Sequence, residues 1–281
     1  VHFEALEKLL EFQIENGTDA IISVGTTGEA PTLEDGEHLD VIRFCVQKTA
    51  GRIPVIAGTG SNNTAHAVMM SREAQKAGAD GCLLVSPYYN KATQQGLIES
   101  FSAIAHSVDI PCILYNVPSR TGTNILPDTA AWLGKHVENI VAVKEASGSI
   151  SQTAELLEKA EGSLDVYSGN DDQIVPVMSL GGIGVISVLS NVAPQFVHDL
   201  TALCLEGKYK EAAAEQIRSL ELCRSLFCEV NPIPAKAGLN MIGFEAGRPR
   251  LPLTEMTEKG KERLEKAMKA FGLDIIQKKS K

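Results

Sequence analysis

The sequence lacks the patterns that mark zinc-binding, disulfide-bonded and nucleic-acid-binding proteins. Its six cysteines form no Cys-x-x-Cys pair, and its six histidines show no His-x-x-x-His spacing. Most of the cysteines lie in apolar stretches, which indicates reduced packing residues. The net charge of −9 provides no basic stripe for a phosphate backbone. We therefore expect no metal, no cofactor and no nucleic-acid partner.

Long hydrophobic runs are missing as well. No apolar segment approaches the roughly 20 residues that a membrane span needs. The first residues, Val1 to Glu4, have neither the basic nor the apolar region of an export signal. We therefore expect a cytoplasmic protein with no membrane partner. Its 281 residues, 44% of them hydrophobic, match the size and apolar content of an α/β barrel.

Short apolar runs recur along the chain, roughly 20–33 residues apart, with helical periodicity between them. Because each run is continuously apolar, we expect strands that are buried on both faces of a parallel sheet. The repeated strand-then-helix order predicts such a sheet, either closed or doubly wound. The runs are residues 20–24, 53–57, 81–85, 112–116, 140–144, 164–168 and 184–188.

These seven runs are one fewer than the strands of a (β/α)8 TIM barrel. The chain opens in an amphipathic helix over residues 3–15, so we expect that the first strand is missing before Val1. Helices are predicted over residues 195–206, 208–229 and 255–270, separated by turn-rich segments at 231–234 and 247–252. The predicted organisation is a barrel over residues 1–200 and a C-terminal helical extension packed on it over residues 201–281, with a disordered tail at 277–281.

The carboxyl ends of the strands form the active site in parallel barrels. Here those ends carry one lysine, Lys144, with three tyrosines and several small hydroxylic residues. An amine at an apolar strand end has its charged form disfavoured, which makes the neutral nucleophile available. Phenols and hydroxyls can pass protons without adding charge. This set of residues suits imine chemistry.

Each of these residues also has a purely structural interpretation. Lys144 could pair with Glu145, and Tyr115 could cap the core with its hydroxyl bound to the backbone. The glycines at 25–28 could form a tight turn, and the segment 181–184 could approach a phosphate. Taken one at a time, none of these features decides the function.

Six separated motifs, taken together, resemble those of the dihydrodipicolinate synthase family. They are GTTGEA (25–30), SPYYNKATQQG (86–96), YNVPSRTG (115–122), VKEASG (143–148), GGIGVIS (181–187) and NPIPAKAGL (231–239). The resemblance extends from residue 1 almost to the end of the chain. It lacks the N-terminal stretch that carries the first barrel strand in the family.

The resemblance implies a Schiff-base lyase without a cofactor, which condenses pyruvate with L-aspartate 4-semialdehyde in lysine and diaminopimelate biosynthesis. It implies that Lys144 forms the imine, and that Tyr115 and Thr26 relay protons. Tyr89 resembles the relay tyrosine that reaches into the site of a neighbouring subunit. The resemblance thereby implies a homotetramer, a dimer of dimers.

Four further residues match substrate-binding positions of the family. Thr27 and Ile186 match the positions that hold pyruvate, and Gly169 lies in the same pocket. Arg120 matches the arginine that meets the carboxylate of the second substrate, and a guanidinium binds carboxylates bidentately.

Two other functions compete with this one. N-acetylneuraminate lyases and other 2-oxo-acid aldolases share the lysine and the tyrosine. Thr26 and Thr27 replace the Ser-Thr pair typical of the lyase, and Arg120 also favours the synthase. A non-catalytic ligand-binding barrel would be indicated by loss of the lysine, tyrosine or threonine, and all three are present.

The resemblance also predicts how the chain responds to L-lysine, which inhibits feedback-sensitive members of the family. His38, Asn62 and Tyr88 match the inhibitor pocket. His66, however, stands where a glutamate is usual, and Asp35 where a histidine is usual. Because an anionic partner for a ligand ammonium is lost at position 66, we expect weak or absent inhibition.

Overall fold

A computed structural model describes residues 1–276. Seven strands form one sheet in the order β1 to β7, and every neighbouring pair is parallel. The parallel sheet predicted from the apolar runs is therefore confirmed. The strands are β1 (Ile21–Ser23), β2 (Val55–Gly58), β3 (Gly81–Val85), β4 (Cys112–Asn116), β5 (Ile140–Glu145), β6 (Asp165–Ser168) and β7 (Gly184–Val185).

Helices connect the strands and continue beyond the last one. Within the described residues, no helix is both long and apolar enough to cross a membrane. The helices are α1 (Phe3–Glu15), α2 (Asp35–Thr49), α3 (Thr64–Lys76), α4 (Gln94–Ala105), α5 (Pro118–Thr121), α6 (Pro127–His136), α7 (Ile150–Ala160), α8 (Ile174–Ser179), α9 (Pro194–Leu205), α10 (Tyr209–Leu226), α11 (Ile233–Met241) and α12 (Glu258–Phe271).

The two faces of the sheet bury different side chains, which explains the continuous apolar runs. On one face, Leu84 and Leu114 pack in a cluster with Leu133 of α6. On the other face, Leu83 and Tyr115 belong to a separate cluster. Successive residues of a strand point to opposite faces, so both kinds of position must be apolar.

The last strand is shorter than predicted, because the chain leaves the sheet after Val185. The Ile186 amide still donates to the Ser168 carbonyl at 2.9 Å. The next residues then turn towards Asp171, whose carboxylate accepts hydrogen bonds from the amides of Val188 and Leu189. These contacts replace the strand pairing that the apolar run had suggested.

The C-terminal helices include one that the sequence did not predict. Helix α11 begins at Ile233, immediately after Pro232 and with Pro234 in its first turn, where a turn-rich segment was expected. Proline is compatible with a helix at this position because the first amide groups have no intrahelical partner. A third apolar cluster, which includes Leu222 and Leu264, joins these helices.

Three further expectations concern the first strand, the domain boundary and the C-terminal tail. In residues 1–276, β1 and β7 end the sheet and do not pair with each other. An eighth strand before Val1, which would close the barrel, stays a prediction. The domain boundary at residue 200 likewise stays a prediction, and the tail at 277–281 lies outside the described residues.

Candidate active site

A cavity of about 1300 Å³ lies along the inner face of the sheet and reaches the carboxyl ends of the strands. Seven of the eight residues singled out in the sequence line it, and the exception is Tyr89. The seven are Lys144, Tyr115, Thr26, Thr27, Ile186, Arg120 and Gly169. The structure thus brings together residues that are up to 160 positions apart in the chain.

Lys144 and Tyr115 lie side by side in the wall of the cavity. They are direct partners across β4 and β5, and the Lys144 Nζ lies 4.3 Å from the centroid of the Tyr115 ring. Tyr115 is buried and Lys144 is half-buried. Within the part of the chain that the structure describes, no carboxylate pairs with Lys144. The amine therefore lies over the face of the Tyr115 ring, inside the cavity.

Thr26 and Thr27 lie in the loop that follows β1, and this loop is anchored from the C-terminal part of the chain. Glu29 accepts a hydrogen bond from Lys236 Nζ at 2.6 Å and another from the Arg250 amide at 2.8 Å. The Thr27 Oγ1 accepts a hydrogen bond from Asn231 Nδ2 at 3.0 Å. The position of the loop therefore depends on residues more than 200 positions away.

Arg120 lies in the short helix α5 and is exposed at the rim of the cavity. One of its guanidinium nitrogens, Nη2, donates to the main-chain carbonyl of Asn231 at 3.1 Å. Within residues 1–276 the guanidinium makes no other hydrogen bond, so its remaining donors can meet an anion. Asn231 thus contacts both Arg120 and Thr27, although the sequence reasoning assigned it no role. The signal that could have found it is the motif NPIPAKAGL, which begins with this residue.

Gly169 and Ile186 line the wall between β6 and β7. The Gly169 amide donates to the Glu145 carbonyl at 2.7 Å. A Cβ atom at Gly169 would lie 2.5 Å from the Ala146 Cβ, a separation that real structures do not tolerate. Only glycine fits at this position without moving β5, so the wall of the cavity is fixed by main-chain packing.

A buried carboxylate, Asp171, supports the loop that follows Ile186. It accepts a short hydrogen bond from the Ser187 hydroxyl, and its other oxygen accepts from the amides of Val188 and Leu189, both at 2.9 Å. Burial raises the pKa of the Asp171 carboxyl, while these hydrogen bonds and the charge of Lys144 act in the opposite direction. The sequence reasoning missed Asp171, since a single acid after a strand has no distinctive spacing.

Tyr89 does not face the cavity of its own chain. It is 90% exposed, and its backbone has a φ of 75° in the loop after β3. A positive φ is uncommon for a residue other than glycine, so the loop holds this side chain outward at some cost in backbone energy. Among residues 1–276, no hydrogen bond joins Tyr89, Tyr115 and Thr26.

The arrangement provides an amine, a phenol and hydroxyl groups in an apolar cavity, with a guanidinium at its rim. Within the described residues, no group of three or more histidine, cysteine, aspartate or glutamate side chains could hold a metal ion. An amine of this kind can attack a carbonyl carbon, and the phenol and hydroxyls can move protons to and from the adduct.

Comparisons with known proteins agree with this chemistry. Residues 1–271 match the Dihydrodipicolinate synthetase family. A 4-hydroxy-tetrahydrodipicolinate synthase of Lachnoclostridium phytofermentans is 59% identical over 97% of this chain and 93% of its own length. A protein of the same name from Caldicellulosiruptor saccharolyticus is 57% identical over 98% and 92%. The crystal structure of dihydrodipicolinate synthase from Aquifex aeolicus superposes with a TM-score of 0.96 at 46% identity, over 98% of this chain and 94% of that one.

Proposed function

This chain belongs to the dihydrodipicolinate synthetase family, and we propose that Lys144 carries out its reaction by forming an imine with pyruvate. The activity is that of 4-hydroxy-tetrahydrodipicolinate synthase, a lyase of lysine and diaminopimelate biosynthesis, which its relatives share at 52–59% identity. The substrates are pyruvate and L-aspartate 4-semialdehyde. The observation that carries the proposal is the position of the Lys144 amine, inside the cavity and against the Tyr115 ring.

The reaction begins when the neutral Lys144 amine attacks the ketone carbon of pyruvate and water leaves. The resulting iminium accepts electrons, so a methyl proton becomes acidic and an enamine forms. The enamine carbon attacks the aldehyde carbon of the second substrate, and the new alkoxide takes up a proton. Tyr115 lies in place to move these protons. The amine of the second substrate then replaces Lys144 at the imine carbon, which closes the ring and frees the lysine.

The remaining residues bind the substrates. Thr27, Gly169 and Ile186 surround pyruvate, and Arg120 pairs with the carboxylate of L-aspartate 4-semialdehyde. The exposed guanidinium supports this assignment because only its Nη2 donates within residues 1–276, which leaves donors for a bidentate contact with a carboxylate. Thr26 joins Tyr115 in the proton relay.

Tyr89 serves the active site of a neighbouring subunit. Its outward position and its strained backbone support this role, since neither serves the cavity of its own chain. The smallest competent unit is then a dimer, and the full assembly is a homotetramer.

An assay with pyruvate and a series of aldehydes tests the proposed function. Turnover of L-aspartate 4-semialdehyde should exceed that of N-acetylmannosamine, the aldehyde-bearing partner in an N-acetylneuraminate lyase reaction. The reverse order would assign the chain to the 2-oxo-acid aldolases instead. Both reactions consume pyruvate, so one assay of the pyruvate concentration measures the turnover of either aldehyde.

A further inference from the structure

A buried amide, that of Asn231, stands out among the polar groups of the described residues. Four buried side-chain atoms in residues 1–276 have no hydrogen-bond partner, and Asn231 Oδ1 is one of them. Asn231 is 5% exposed and, unlike the other three residues, lines the cavity that contains Lys144. A buried carbonyl oxygen without a hydrogen-bond partner carries a free-energy cost. Such a cost calls for an explanation in what the rest of the residue does.

Two further polar groups of Asn231 contact the two substrate-binding regions. Its Nδ2 donates to Thr27 Oγ1 at 3.0 Å, and its main-chain carbonyl accepts from Arg120 Nη2 at 3.1 Å. Only the contact with Thr27 uses the side chain. A substitution at position 231 therefore acts first on Thr27.

The direction of the hydrogen bond to Thr27 has a chemical consequence. A hydroxyl has one proton to donate and two lone pairs that accept. Because the amide of Asn231 is the donor, it occupies a lone pair of Thr27 Oγ1 and leaves the hydroxyl proton free. A free hydroxyl proton is what a carboxylate requires, since an ionised carboxylate only accepts hydrogen bonds.

We propose that Asn231 is a positioning residue that orients the Thr27 hydroxyl as a donor to the carboxylate of pyruvate. This inference rests on the proposed function, in which Thr27 binds pyruvate. The neutral amide supplies a donor without adding negative charge beside the bound anion. Because the amide turns Nδ2 towards Thr27, its Oδ1 has no hydrogen-bond partner within residues 1–276.

The key variant is Asn231→Asp, which keeps the shape of the side chain and reverses the hydrogen bond. The carboxylate introduced at position 231 accepts the proton of the Thr27 hydroxyl, whereas the amide donates to Thr27 Oγ1. The introduced carboxylate also repels the carboxylate of pyruvate. Asn231→Ala only removes the orienting donor. We expect the KM for pyruvate to rise roughly threefold to tenfold in Asn231→Ala, as for one neutral hydrogen bond. It should rise roughly a further tenfold or more in Asn231→Asp.

Two further measurements separate this role from a structural one. In a Thr27→Val background, Asn231→Ala should add nothing to the KM for pyruvate, since the hydroxyl that it orients is gone. The KM for the second substrate should change less than that for pyruvate, because the contact with Arg120 uses the main chain. Asn16→Asp is the matched control, since the Asn16 side chain donates to the Phe12 carbonyl at 2.8 Å and neither residue lines the cavity.

Two results would overturn the inference. The first is a KM for pyruvate that is no higher in Asn231→Asp than in Asn231→Ala. The second is a double variant in which the increases in KM caused by Asn231→Ala and by Thr27→Val multiply. If Asn231→Ala fails to fold, Asn231→Asp can be compared in the unsubstituted chain and in the Thr27→Val background. Most of the increase in the KM for pyruvate caused by Asn231→Asp should vanish when the Thr27 hydroxyl is absent. Borohydride trapping of pyruvate on the unsubstituted chain tests the proposed function separately. If that chain traps pyruvate, the proposed function holds and the variants test only the role of Asn231.

Discussion

Lys144 and Glu145 are consecutive residues of β5, yet their side chains face opposite sides of the sheet and do not pair. The Glu145 carboxylate is buried and accepts hydrogen bonds from Asn116 Nδ2 at 3.0 Å, Gln152 Nε2 at 3.3 Å and the Ser147 amide at 2.6 Å. The structural interpretation of Lys144, an ion pair with its neighbour, is therefore wrong. The alternation of a strand leaves the amine in the cavity and places the acid among the helices.

The first prediction concerns the imine. Treatment with borohydride and pyruvate should inactivate the enzyme and add one reduced pyruvate to the peptide that contains Lys144. Lys144→Arg should show neither label nor activity, because a guanidinium stays protonated and cannot act as a nucleophile. Lys76→Arg, at an exposed lysine paired with Glu73, is the control and should behave normally. Label on any other peptide would contradict the assignment.

The second prediction concerns the phenol beside the amine. Tyr115→Phe should keep the fold, since it removes a single oxygen, and should lower kcat roughly 10²- to 10⁴-fold as a lost proton-transfer group does. Tyr209→Phe is the matched control, because the Tyr209 hydroxyl donates to the Met178 carbonyl at 3.1 Å, away from the cavity. Steady-state kinetics with circular dichroism would check both variants. A fall in kcat below tenfold in Tyr115→Phe would remove Tyr115 from the proton relay.

The third prediction concerns the shared site. Lys144→Ala and Tyr89→Phe should each be inactive or nearly so, and a mixture of the two should regain part of the activity. Hybrid dimers explain the recovery, since one of their two sites receives both an intact Lys144 and an intact Tyr89. The mixture should be assayed after subunit exchange has been demonstrated with labelled protein. Exchange without recovery would show that Tyr89 does not act across an interface.

The fourth prediction contrasts two glycines. A Cβ atom at Gly58 would collide with the main-chain carbonyl of Val24 in the neighbouring loop, so Gly58→Ala should reduce the free energy of unfolding by roughly 1–3 kcal/mol. Gly36 lies exposed in α2 with nothing within 4 Å of such an atom. Gly36→Ala should therefore raise the stability by about 0.4–1 kcal/mol, because alanine restricts the unfolded chain. Denaturant unfolding measures both changes, and equal effects would refute the contrast.

The fifth prediction concerns L-lysine. The His66 Nε2 lies 2.9 Å from the Asp35 Oδ1. Asp35 could replace the glutamate that is usual at position 66 as a partner for the ammonium of L-lysine, but its carboxylate already contacts His66. We expect weak or absent inhibition by L-lysine, because a lost charge-assisted hydrogen bond costs roughly 1.5–3 kcal/mol, or one to two decades of affinity. A titration of activity at saturating pyruvate checks this expectation. Half-inhibition at submillimolar L-lysine would contradict it, and His66→Glu should increase the sensitivity.

Much of the fold and of the site followed from local patterns in the sequence. The apolar runs predicted the strands, since burial on both faces leaves a continuous signal over a few residues. The topology of parallel strands then placed Lys144, Tyr115 and Thr26 near one another, because all their carboxyl ends meet at one edge. Arg120 and Ile186, which also line the cavity, were assigned to the site by the family resemblance and not by the strand-end pattern.

The tertiary structure alone decided which side chains pair. Thr27 and Asn231 are 204 residues apart and hydrogen-bonded, and no spacing in the sequence encodes a partner at that distance. The same holds for Asp171 and the loop after β7. A local pattern reports the period and burial of a segment. Which polar groups satisfy one another depends on the packing of distant segments, since every buried donor and acceptor takes the partner that the fold brings to it.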